Sequence, residues 1–341
     1  MTNHTSVKST LILIPMVISL FLVDVSMGSV SIPFIDFIQI MLGKGTGVYH
    51  DIIWKFRMPK ALTCALAGSA LATGGLMMQT MFRNPLAGPD VLGLSSGSSL
   101  LVSILILANG TGIAIIQQFA SHPWSVALAA SLGASMVFMV IILIAQRVRD
   151  NTALLIIGLM IGAGTSSIVS VLQFTSQAND LQLFLIWTLG SVGSASWLEI
   201  QILSLVVFSG LAFSLVSIKP LNAFLLGDSY AKSIGVNVKR SRIIIVIGTS
   251  LLVGGVTAFC GPIAFVGLAV PHLVRLIVKT NNHKVLLFSV MAGGASLLLM
   301  CDIISQLPGS AKILPLNAVT SLVGAPVVIW LVIRQRKITR G

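Results

Sequence analysis

Charge is what this chain has least of. Only 9% of its 341 residues are Asp, Glu, Lys or Arg, and 55% are hydrophobic. A soluble domain carries roughly 25% charged residues, so a water-soluble globule is excluded and a polytopic membrane protein is indicated. Acids number nine, with Glu199 the one glutamate. The chemistry of catalysis is equally sparse. No GxxxxGKS or GxxxxGKT stretch occurs, because Gly43-Lys44-Gly45 lacks the frame, so the chain has no phosphate-cradling loop of its own. Neither HExxH nor a Ser/His/Asp set is present to suggest a membrane-embedded hydrolase. Cys64, Cys260 and Cys301 lie in apolar runs without CxxC or histidine partner spacing. They read as small buried hydrophobes, and no metal or other cofactor is expected. No string of intramembrane acids or histidines suggests a proton relay; Asp24 and Asp302 fall near outer helix ends.

What the chain does have is long apolar runs. They lie near 9–28, 61–81, 91–108, 124–146, 153–173, 198–218, 243–259, 262–278, 285–305 and 314–333. A span needs about 20 apolar residues, so the expectation is an all-α fold of ten transmembrane helices in a single domain, 1–341. The piece 181–192 is apolar but short, and Asp180 flanks it, which predicts a re-entrant or interfacial helix. The first run follows Lys8 and ends in a small-x-small pattern at Ser26–Gly28, as a signal peptide would. Its length and the charge parity that follows favour an uncleaved first span.

The net charge of +12 is explained by where the bases sit. With the N-terminus inside, inner segments hold sixteen of the 21 Lys and Arg residues; Lys44, Lys55, Arg57, Lys60 and Lys312 remain outside. That asymmetry supports an even number of spans and both termini in the cytoplasm. Small residues mark helix contacts: Gly158 and Gly162 in the fifth run, Gly68, Ala72 and Gly75 in the second, Gly293 with Ala292 and Ala295 in the ninth. Plain bundle packing accounts for most of them, while the fifth-run pair is also placed to line a path.

Four polar stretches stand out. Leu226–Arg242, LGDSYAKSIGVNVKRSR, has a designed shape: Asp228 as cap of a short helix over Ser229–Ile234, Gly235 as its left-handed end, then Lys239, Arg240 and Arg242. A connection between spans needs no such build, so a partner outside the lipid is expected to grip it. Arg57–Lys60, RMPK, gathers basic charge at an outer helix mouth against the positive-inside bias. It reads either as a headgroup anchor or as a docking site for acidic side chains. Arg83–Gly93, RNPLAGPDVLG, is a turn broken by Pro85 and Pro89, with Asp90 placed to cap the third span. In Gly261–Arg275, GPIAFVGLAVPHLVR, Pro262 fits a first helical turn and Pro271 should kink or end the helix; His272 beside it is either a satisfied polar group or part of a docking face. Asn151 and Thr152 stand at the inner mouth of the fifth run, as caps or as a constriction.

Taken together, these stretches, with AGSALATGG and LVGAPVVIWL, resemble in order and spacing the permease subunits of bacterial ABC importers for iron–siderophore, haem and cobalamin. The resemblance covers about residues 50 to 335. It implies a type II importer permease fold in the cytoplasmic membrane: two permeases, identical or sister chains, around a central path, two ATP-binding subunits below and a binding protein outside. It implies no enzymatic activity in this chain, the ATPase being a separate subunit. Carried over, Arg57 and Lys60 match the basic pair that meets the binding protein, with Lys312 a substitute for a third position that Gln306 occupies. Gly227, Asp228, Ala231, Lys232, Ser233, Gly235 and Val236 match the coupling loop, 226–242. Asn151 and Thr152 fall at the inner gate. Ile313 and Asn317 depart from the pattern at the outer mouth. The expected cargo is a ferric siderophore, with haem or cobalamin as alternatives. An ion-coupled secondary transporter is the rival from another class; it requires intramembrane acids and midplane helix breaks.

Overall fold

The computed structural model describes residues 2–107, 123–145, 147–148, 151–193, 195–306 and 313–338, and every regular element among them is a helix. In chain order these are α1 (Thr2–Ser26), α2 (Phe34–Met41), α3 (Val48–Ile52), α4 (Met58–Met81), α5 (Leu94–Leu107), α6 (Pro123–Ala145), α7 (Asn151–Thr175) and α8 (Ala178–Thr188). They continue as α9 (Trp197–Val216), α10 (Ile218–Phe224), α11 (Asp228–Ser233), α12 (Val238–Cys260), α13 (Val266–Val278), α14 (His283–Ser305) and α15 (Leu316–Ile338). A π-helical turn, Ile53–Arg57, joins α3 to α4, so Val48–Met81 runs as one 34-residue apolar rod.

Six of the helical stretches are long and apolar enough to cross a membrane: Val48–Met81, Trp124–Ile144, Ile156–Thr175, Trp197–Val216, Val238–Cys260 and His283–Ser305. The other four expected runs correspond to shorter apolar helices, Ile12–Ser26, Leu94–Leu107, Val266–Val278 and Leu316–Trp330. Each of the ten runs therefore lies on a helix, and among the described residues six of these helices qualify as spans by length and composition alone.

The bundle is built around α4. Its antiparallel partner α14 is fixed at one end by Thr80 Oγ1 and His283 Nε2, 2.8 Å apart, and at the other by Lys60 and Asp302. Between them Gly68 faces Gly294, and a methyl at either would collide with the other's backbone oxygen. Gly75 meets the Gly267 backbone of α13 in the same way. Lipid gives helices no hydrophobic reason to associate, so such close backbone approach is where dispersion contacts accumulate. Helix α1 lies along α14, with Thr10 and Ser289 hydroxyls 2.7 Å apart. The residue that makes the contact on α14 is Gly294; Gly293, singled out from sequence, faces Val270 and Val274 of α13.

Several local expectations shift. Asp90 does not cap α5. Its carboxylate accepts from Ser95 Oγ at 2.6 Å and from the Phe265 amide at 3.3 Å, stapling the RNPLAGPD turn to the loop before α13. Burial pushes this carboxyl above its ordinary value. Pro262 precedes the helix, because α13 starts at Val266 after a left-handed Phe265. Pro271 does not end α13, which continues to Val278. His272 proves to be a satisfied polar group: its Nε2 lies 2.8 Å from the Pro85 carbonyl. The short helix α8 begins and ends a few residues before the predicted 181–192. Glu199 closes a capping box with Ser196 at the start of α9. Cys64, Cys260 and Cys301 are buried free thiols.

Candidate functional site

At the end of the bundle that holds Thr80 and His283, α10 turns into the 226–242 segment. Asn222 of α10 accepts from the His283 amide at 2.9 Å, so this segment is anchored to the base of α14. Helix α11 spans Asp228–Ser233, and its N-cap is Gly227 at φ 105 rather than Asp228. A side chain at Gly227 would be strained in that conformation and would press on Arg83 Nη1. The Asp228 carboxylate is drawn across to Arg242, Oδ2 to Nη2, at 2.6 Å. At the far end Gly235 takes φ 81, the Gly235 amide donates to Lys232 O, and the Val236 amide donates to Ala231 O. Two carbonyls that the last turn would leave orphaned are thereby satisfied. Asn237 then caps α12 by accepting from the Arg240 amide at 3.0 Å. Ala231 is fully buried, whereas Leu226, Tyr230, Lys232, Ser233 and Ile234 are exposed. The segment is a rigid knob: one small residue seated in the bundle, apolar and cationic side chains facing out.

At the opposite end, α1, α4 and α14 converge on an ionic cluster. Lys60 Nζ is 2.7 Å from Asp302 Oδ2 and 3.9 Å from Asp24 Oδ1. Gln306 Nε2 donates to both acids, at 2.8 Å to Asp24 and 2.9 Å to Asp302. Asp24 is fully buried. Arg57 is buried too, with its guanidinium donating to the carbonyls of Ser26 at 2.6 Å, Val25 at 3.3 Å and Val30. Gly28 permits this, since a Cβ there would touch the guanidinium. Cys64 Sγ lies within 4.8 Å of oxygens of both acids, but the Lys60 ammonium supplies the positive charge a metal would bring. Over the cluster opens a pocket of about 330 Å³ lined by Arg57, Lys60, Gln306, Phe56, Ile52 and Ile313, among others. Arg57 and Lys60, expected at an outer helix mouth, both line this pocket and are also engaged by groups within the chain. The contacts of Asp24, Asp302 and Gln306 were not foreseen from sequence. Two acids inside apolar helical runs were the available signal, because an ionised carboxylate there requires a partner.

A third feature lies on the flank of α7. Serines 95, 96 and 99 of α5, with Ser166, Ser170 and Gln173 of α7, line a pocket of about 350 Å³ closed by Phe184, Thr188 and Pro262. Helix α7 itself is nearly bare: only 6% of its apolar window is buried. Its inner contact is Gly158 against the Leu92 backbone, and Gly162 sits more loosely over Ser96 and Gly93. Asn151 and Thr152 open this helix, but their side chains, like all of Lys312, lie outside the described residues.

The FecCD transport family matches residues 15–334. The chain belongs to that family. It is 34% identical over 285 residues to the vitamin B12 import system permease protein BtuC of Klebsiella pneumoniae, 83% of each chain being covered. To the hemin transport system permease protein HmuU of Yersinia pestis it is 33% identical over 301 residues, covering 86% of this chain and 87% of that one. Its fold is similar to that of an inward-facing metal-chelate type ABC transporter, with a TM-score of 0.79, 25% identity, and coverage of 96% and 99%. The chain is thus a multi-pass ABC importer permease of the FecCD family.

Proposed function

We propose that this chain is the transmembrane subunit of an ATP-driven importer that carries a ferric siderophore across a bacterial cytoplasmic membrane, with both termini inside. The observation that carries the reading is the rigid knob of α11: a built, exposed surface at the basic end of a bundle that has no phosphate-binding loop. Two cytoplasmic ATP-binding subunits would seat on it through Gly227, Asp228, Ala231, Lys232, Ser233, Gly235 and Val236. Closure of those subunits on ATP would push α11, and Asn222 would pass the thrust to α14 and α4. A few kcal/mol of difference between two packings is enough to exchange outward and inward openings. Ten spans, a second permease copy or sister chain across α7, and a gate at Asn151 and Thr152 complete the proposal.

Outside, Arg57, Lys60 and Lys312 are proposed to meet acidic side chains of an extracytoplasmic binding protein. The cargo assignment rests on the serine-lined pocket beside α7, whose hydroxyls and amide suit a hydrophilic chelate better than the flat apolar face of haem. Cobalamin or haem is the second reading, favoured by the names of the relatives. The experiment is uptake by proteoliposomes containing the full transporter and its binding protein, supplied in turn with a ferric siderophore, haem and cobalamin. ATP-dependent accumulation of the siderophore alone supports the assignment. Uptake without ATP, driven by an ion gradient, would overturn the class.

A further inference from the structure

We infer that Asp24 and Asp302 are positioning residues for the outer cationic pocket: they hold the Lys60 ammonium inside the α1–α4–α14 seam, and a partner's carboxylate engages Lys60 by exchanging with them. This rests on the docking reading given above.

The two cations of the pocket are held in different ways. Arg57 spends its guanidinium on three backbone carbonyls, Val25, Ser26 and Val30, so a short rigid fork fixes its charge in place. Lys60 is a point charge on a flexible four-carbon stem, and its partners are side chains. Asp302 approaches it at 2.7 Å and Asp24 at 3.9 Å, while Gln306 bridges the two acids and keeps their oxygens turned toward the ammonium. The Lys60 side chain retains 15% exposure, and it lines the pocket together with Arg57. It therefore sits at the boundary between a dry cluster and a wetter mouth.

An ion pair weakens as the surrounding dielectric rises, so a carboxylate entering from the mouth competes at a disadvantage with acids already behind the lysine. One ammonium offers three donors, enough to be shared during exchange but too few to satisfy three carboxylates fully. The inner acids thus set how readily Lys60 is given up. They restrain the pocket against casual anions and favour a partner that brings its carboxylate on a matched surface, with Arg57 as the fixed point of registration.

The test uses the full chain in lipid vesicles and a membrane-impermeant N-hydroxysuccinimide ester, with acylation of Lys60 followed by mass spectrometry. The expected result is slow labelling in the parent chain. In Asp302→Asn, and to a lesser degree Asp24→Asn, labelling should be roughly tenfold faster, because a buried pair that has lost one partner no longer holds the other. Asp302→Glu should restore slow labelling, which a general loss of packing would not. Lys55, which is exposed, serves as the internal reference and should label alike in all variants. Unchanged Lys60 labelling in both Asn variants overturns the inference. A glutamate-rich peptide should protect Lys60 at lower concentration in Asp302→Asn than in the parent. Failure to protect in either chain, with the Asn variants still labelling fast, would leave the cage standing and remove the docking reading and the exchange with it.

Discussion

The carboxylate of Asp228 and the guanidinium of Arg242 meet at 2.6 Å, bridging the first residue of α11 to the first turns of α12. Both side chains are partly exposed, so their pairing is worth little to the fold, about 1 kcal/mol or less. Its value is geometric, because it fixes the angle at which α11 projects. Asp228→Ala and Arg242→Ala should leave the unfolding temperature within a few degrees of the parent. They should raise the number of ATP molecules hydrolysed per cargo molecule transported. Measured stoichiometry equal to the parent in both variants would remove the pair from coupling.

Backbone contact at Gly68 and Gly294 gives a second prediction. A methyl at Gly68 has nowhere to go, since it meets the Gly294 carbonyl and the following amide. Gly68→Ala should cost at least the 1–3 kcal/mol or so typical of overpacking, and Gly68→Val should prevent stable insertion. Gly164 on the bare side of α7 has open space around it in this chain, so Gly164→Ala should be tolerated by the folded monomer. Thermal unfolding in detergent reads the contrast.

Asp90 supplies a pH dependence. Burial raises its carboxyl above the ordinary value, against the opposing pull of its bonds from Ser95 and Phe265. A folded-state value raised above the unfolded one means stability is fully present below the unfolded value and is lost as pH rises through the folded one. Asp90→Asn should therefore flatten the decline in stability that sets in as pH rises above the ordinary carboxylate range. Asp90→Ala, which leaves the Phe265 amide without its acceptor, should be less stable than Asp90→Asn, by about 1–3 kcal/mol.

At the start of α7, Asn151→Trp or Thr152→Trp should change uptake or its coupling to ATP hydrolysis while leaving insertion intact. Wild-type transport in both would place the inner gate elsewhere.

Much of this could be read from the sequence because the bilayer permits few solutions. Apolar runs with bases at alternate ends located every major helix, and the shape of LGDSYAKSIGV announced an exposed knob before any contact was known. Gly235 ends α11 in the left-handed conformation, as its placement predicted. Asp228 misled because an acid before a helix has two uses: local capping, and pairing with a base such as Arg242 that lies 14 residues on. The same held for Asp90, whose partner Phe265 is 175 residues away. The Asp24–Lys60–Asp302–Gln306 cluster was signalled only by its two acids in apolar runs, and its assembly was hidden for a stronger reason. Its members come from three helices and the residue after the last, and no periodicity within one helix says which neighbour it will face. Lys60 looked outward because the sequence shows a residue's depth along the membrane but not the direction of its side chain.

The sparse burial of α7 has a mechanical consequence. Helices α4, α12 and α14 are knit by glycine contacts and buried side chains, so bending them means breaking many close contacts at once. The α7 rod touches the frame chiefly along α5 and the neighbouring turn, through Gly158 and Gly162, and within the single chain its other flank is left bare. The molecule therefore combines a stiff frame with one member whose outer flank only a covering partner can brace, so the stiffness of that member should belong to the assembly rather than to the single chain.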